Sequence, residues 1–65
     1  MHVTVDVLGD GVEEVEIAEG TYGDILSAVD LSPNEATVLV DGRPVPADEP
    51  VSATEVTVLR LVKGG

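Results

Sequence analysis

A chain of 65 residues forms one domain, because a core this small buries only about 60% of the surface its unfolded chain exposes, and it leaves little room for a deep catalytic cavity. Thirteen Asp and Glu against three Lys and Arg give a net charge of -10, which excludes direct nucleic-acid binding through phosphates, since that affinity comes from cationic side chains displacing counterions. With no cysteine, disulfides, thiolate metal sites and a cysteine nucleophile are excluded together, and no apolar run approaches the roughly 20 residues of a membrane span. The negative excess opposes compaction unless salt screens it, which suits a high-salt cytoplasm and a halophilic source, and a cytoplasmic protein is expected. The apolar residues are nearly all Val, Leu, Ala and Ile, with Tyr22 the only aromatic, so the core is a thin aliphatic layer rich in strand-forming valine.

His2 to Leu8 alternates, with Val3, Val5 and Val7 on one side and His2, Thr4 and Asp6 on the other, the period of a half-buried strand. Gly9-Asp10-Gly11 supplies the turn, and Val12 to Ala18 resumes the alternation with Val15 and Ile17 inward and Glu14 and Glu16 outward, completing a hairpin. The period then changes. Thr21 caps a helix, Asp24 lies three residues on, and Tyr22, Ile25, Leu26 and Val29 follow helical spacing, with the end expected near Leu31 because Pro33 disfavours helical geometry at Ser32. Thr37 to Val40 reads as a third strand, Asp41-Gly42 as a two-residue hairpin turn, and Arg43-Pro44-Val45-Pro46 as a short edge strand. Glu55 to Val62 is a near-continuous apolar run suited to the middle of a sheet. The fold class is α+β: one helix crossing a mixed sheet of four to five strands, order ββαββ(β), the β-grasp arrangement. Residues 1–62 form the domain and 63–65 a flexible tail.

Chemistry concentrates at Val62-Lys63-Gly64-Gly65. At average glycine usage the chance of two terminal glycines is about one in 200. A carboxylate that threads into another protein's active site is served by a lead without Cβ atoms, because glycine adopts most backbone conformations and lets a channel close around it. Read with His2-Val3-Thr4-Val5, Asp30-Leu31-Ser32-Pro33, Val38 to Pro46 and Val58 to Lys63, the whole chain closely resembles the small archaeal modifier proteins of halophilic archaea, relatives of ubiquitin and of the sulfur carriers of thiamine and molybdopterin synthesis.

That resemblance implies a monomeric carrier rather than an enzyme, with no bound cofactor. An E1-like enzyme would use ATP to adenylate the Gly65 carboxylate, Gly64 serving as flexible lead. Gly65 would then form an isopeptide with lysines of target proteins, or a thiocarboxylate that works with a sulfurtransferase and a tRNA-thiolating enzyme to supply sulfur to the wobble uridine. In the ubiquitin-like relatives the outer sheet face meets the E1. On the last strand Val56 and Val58 share one face and Thr57, Leu59 and Leu61 the other, so packing the valines under the helix exposes Leu59 and Leu61 as a docking patch, with ordinary sheet packing as the alternative.

Arg60 faces the valine side near the sheet edge and reads as a solvated charge. Lys63, the only lysine, reads as a solubilising charge that also helps dock on an acidic E1 surface, with self-conjugation as a second reading; relatives that build chains carry several lysines. Glu13, Glu14 and Glu16 form a solvated acidic face without a loop to wrap a cation, so no metal is expected. His2 has no second ligand at metal spacing and reads as a lone surface imidazole, and Tyr22 as the core anchor of the helix with its hydroxyl at the rim. The competing class is a β-grasp interaction module that binds a protein surface and never reacts.

Overall fold

The computed structural model of the chain describes residues 1–61. The elements are β1 (His2–Val7), β2 (Gly11–Glu16), α1 (Tyr22–Ala28), β3 (Ala36–Val40), β4 (Arg43–Val45) and β5 (Glu55–Arg60). They build a five-stranded sheet in the order β2-β1-β5-β3-β4, in which β1 and β5 are parallel and every other neighbouring pair is antiparallel. The expected mixed sheet crossed by one helix is what forms, with the last strand at its centre.

The alternation of β1 sets the core. Val3, Val5 and Val7 are buried beside Val15 of β2, Val38 of β3 and Val56 and Val58 of β5, and Tyr22, Ile25 and Leu26 of α1 close over them. Each such side chain contributes about 1.5–3 kcal/mol by leaving water, which this small domain needs in the absence of disulfides. Tyr22 is buried as the helix's anchor, and its hydroxyl accepts a hydrogen bond from the Ser52 N–H at 3.3 Å. Two strained-looking positions are turns: Asp41 and Gly42 have φ of 53° and 80°, the pair of positive values that a two-residue hairpin requires, and they join β3 to β4.

The start of α1 is fixed by Thr21, whose N–H donates to Asp24 Oδ2 at 2.9 Å. The next two N–H groups, of Tyr22 and Gly23, donate to the carbonyls of Glu49 (3.1 Å) and Ala47 (2.7 Å), so the loop before β5 satisfies the helix end. A Cβ on Gly23 would sit 3.1 Å from that Ala47 oxygen, which explains a glycine inside the first turn.

β2 runs from Gly11 to Glu16 rather than from Val12 to Ala18, β1, β3 and β4 differ from expectation by one residue at one end, and two further boundaries differ for reasons visible in the structure. The helix stops at Ala28 rather than near Leu31, because Asp30 takes a left-handed conformation (φ 62°) ahead of Pro33. Asp30 N–H then bonds Ser27 O at 3.1 Å and Leu31 N–H bonds Leu26 O at 2.8 Å, the double closure of a Schellman motif, with Leu31 packed against the core. β5 stops at Arg60 rather than Val62, because its neighbours end first: β1 finishes at Val7, paired with Val58, and β3 begins at Ala36, paired with Arg60. Val62, the expected domain boundary there, and the tail at 63–65 lie outside the described residues.

Candidate functional site at the exit of the last strand

β5 turns Val56 and Val58 into the core, 4% and 0% exposed, so Thr57 and Leu59 fall on the face away from the helix. Leu59 is 42% exposed and Leu61 49%, so both present apolar surface to solvent on that side. Leu8 joins them. The parallel register that pairs Val7 with Val58 continues with Leu8 N–H donating to Val58 O at 3.0 Å, which sets the 46% exposed Leu8 beside Leu59. Its parity was readable in the alternation of β1, but that β1 lies alongside β5 was not.

The end of β5 is held from both flanks. Leu61 N–H donates to Glu35 O at 2.7 Å, and Arg60 Nη1 donates to Asp10 Oδ2 at 2.6 Å, tying the strand to the β1–β2 turn. Arg60 is thus an ion-paired residue and not simply a solvated charge, although with both partners about half exposed the pair is worth only about 0–1 kcal/mol. Farther down the same outer face, Thr4, Asp6, Leu39, Asp41, Glu55 and Thr57 line a shallow depression of about 260 Å³. Its carboxylates make the surround of the leucines negative, which favours a partner that presents cations.

His2 also departs from expectation. Strand pairing sets it opposite Glu16, and its ring contacts both Glu14, through Nε2, and Glu16, through Nδ1 at 3.2 Å. Hydrogen bonding first to Glu14 and then to Glu16 raises the His2 pKa, and the bond from His2, then that from the Met1 amine, lowers that of Glu16. The imidazole is therefore a clamp across β1 and β2 rather than a lone group. Among the described residues no cluster of His, Asp or Glu has the geometry to hold a metal ion, and no helix is long and apolar enough to cross a membrane. Lys63, Gly64 and Gly65 follow this strand in sequence and lie outside the described residues.

A mixed sheet ordered 2-1-5-3-4, gripping one helix and placing its last strand at the centre, defines a β-grasp protein of the ubiquitin-like class. The family model described as small archaeal modifier protein 2 matches residues 1–62, and the chain belongs to that family. The small archaeal modifier protein 2 of Haloferax volcanii is 59% identical over 66 residues, covering 100% of both chains. An uncharacterized protein of Archaeoglobus fulgidus is 36% identical over 52 residues, 80% of this chain and 78% of that one. The crystal structure of the H. volcanii small archaeal modifier protein 2 aligns with a TM-score of 0.75 at 58% identity, over 97% of each chain.

Proposed function

We propose that this modifier acts through the Gly65 carboxylate as a substrate of an E1-like adenylating enzyme. A carboxylate is a poor acyl donor. Attack of its oxygen on the α-phosphorus of ATP releases pyrophosphate and leaves an acyl adenylate, whose AMP is then displaced by a nucleophile. Displacement by a lysine amine gives an isopeptide on a target protein; attack by the persulfide of a sulfurtransferase expels AMP to give an acyl disulfide, which a second thiol cleaves to a thiocarboxylate with formation of a disulfide between the two thiols, the thiocarboxylate being the form suited to 2-thiolation of a tRNA wobble uridine. In this reading ATP and the catalytic groups belong to the partner, so the chain is a carrier and not an enzyme. Gly64 gives the carboxylate a narrow approach, and Lys63 helps seat the tail.

The observation that carries the reading is the placement of exposed Leu59 on the central strand and exposed Leu61 just past its end, a few residues ahead in sequence of Gly64-Gly65, in a chain of the modifier family. The leucines are the proposed E1 contact. Deletion of Gly65 tests it: the truncated protein should keep its fold and lose ATP-dependent pyrophosphate exchange with the cognate E1, whereas retained exchange would remove the carboxylate from the mechanism. The net charge of -10 also supports a halophilic cytoplasmic setting, in which molar salt increases the folded fraction over dilute buffer.

A further inference from the structure

The two edges of the sheet are unlike. β4 spans three residues, contains Pro44 and is followed by Pro46, so it has few N–H groups to offer. β2 spans six residues with no proline, and among the described residues no strand lies beyond it. Met1 and Ile17 exchange both backbone hydrogen bonds, at 2.5 and 2.8 Å. Antiparallel alternation then makes Val3 with Val15, Val5 with Glu13 and Val7 with Gly11 the bonded pairs, and turns the N–H and C=O groups of Val12, Glu14 and Glu16 outward.

We propose that β2 is a docking edge for an extended, basic segment of another protein, which adds to the sheet as a sixth strand. Three features select that occupant. The outward backbone groups supply the ladder, the mode by which exposed sheet edges capture peptides. Glu14 and Glu16 share the outer face of β2 and, although both contact His2 and Glu16 also the Met1 amine, their side chains stay 62% and 73% exposed, so their carboxylates still attract Lys or Arg at alternate positions of the incoming strand. Where the edge ends at Ile17, an open groove of about 470 Å³, lined by the apolar Met1, Ile17, Ala18, Pro50 and Val51 together with residues 19–21, receives an apolar side chain at the end of the incoming segment. A second copy of this chain is the wrong occupant, because its own glutamates would face these across the new ladder. β2 is separated from β5 by β1, so this edge and the outer leucines are distinct surfaces, and the inference does not depend on the terminal chemistry.

Titration of the full chain with a synthetic peptide alternating lysine and valine and ending in leucine, followed by amide chemical shifts, tests the proposal. Saturable shifts are expected, larger at Val12, Glu14 and Glu16 than at Glu13 and Val15. Glu14→Pro removes one outward N–H together with the Glu14 carboxylate while sparing the β1–β2 backbone ladder, and should weaken binding by about tenfold or more. Glu14→Lys with Glu16→Lys should abolish binding of the lysine peptide and confer binding of its glutamate counterpart. Should Glu14→Pro fail to fold, the charge-reversed variant decides alone. The proposal is overturned by no saturable shift at millimolar peptide, by shifts spread equally over Asp6, Asp41 and Glu55, or by charge reversal that leaves the peptide preference unchanged.

Discussion

Replacing Leu59 and Leu61 together by alanine removes the apolar part of the proposed E1 contact and leaves the tail intact. Full burial of a leucine is worth about 1.5–3 kcal/mol, and these two retain 42% and 49% of their exposure in the free protein. Covering that remainder on docking therefore contributes about 1 kcal/mol per leucine, and about 2 kcal/mol for the pair corresponds to about 30-fold in affinity. The already buried halves stabilise the fold by a similar amount, so the comparison belongs at a temperature where circular dichroism shows both proteins fully folded. In pyrophosphate exchange with the cognate E1, the concentration for half-maximal rate should rise by about 30-fold with an unchanged plateau. Val12→Ala, at an exposed position on β2, serves as the control. An unchanged half-maximal concentration, or an equal effect of Val12→Ala, would refute the assignment of the leucines.

Other consequences concern the fold. Ile25 is fully buried between helix and sheet, so Ile25→Ala should cost about 2–5 kcal/mol, a large share of what a domain of this size has, and urea unfolding should show the midpoint collapse. Asp30→Gly should stabilise by about 1 kcal/mol, since glycine takes the left-handed φ of 62° without the Cβ penalty, and the denaturation midpoint reads the gain. The His2 clamp gives a pH dependence whose sign differs at the two ends. Its raised pKa means a contribution fully present below the ordinary histidine value and lost as pH rises through the raised one. The lowered Glu16 pKa means a contribution present above the ordinary carboxylate value and lost as pH falls through the lowered one. Thermal melts in low salt should show both slopes flattened by His2→Ala, and a variant with the original slopes would remove the clamp.

Local chemistry made much of the fold readable. The alternation of Val3, Val5 and Val7, the helical spacing of Tyr22, Ile25 and Leu26, and Asp41-Gly42 each determine structure over a few residues, where propensity and period suffice. Features that depend on which strands become neighbours were not legible. Parallel pairing of β1 with β5 brings Leu8 beside Leu59, and Arg60 reaches Asp10 across fifty positions of sequence. His2 meets Glu14 and Glu16 only once the hairpin register is set. The helix stop was missed for another reason: an aspartate took the left-handed position usually held by glycine, and proline, the more visible signal, lay farther on.

Mass spectrometry of the protein from its native host tests most directly whether Gly65 reacts. Trypsin cleaves after Lys63, so each conjugate would leave a Gly64-Gly65 remnant on a target lysine, while the thiocarboxylate form would show one oxygen-to-sulfur exchange in the intact mass. One or both species should be present and should vanish when Gly65 is deleted. A chain found only as the unmodified carboxylate, with no remnant on any lysine, would contradict the carrier mechanism and favour a β-grasp module that binds without reacting.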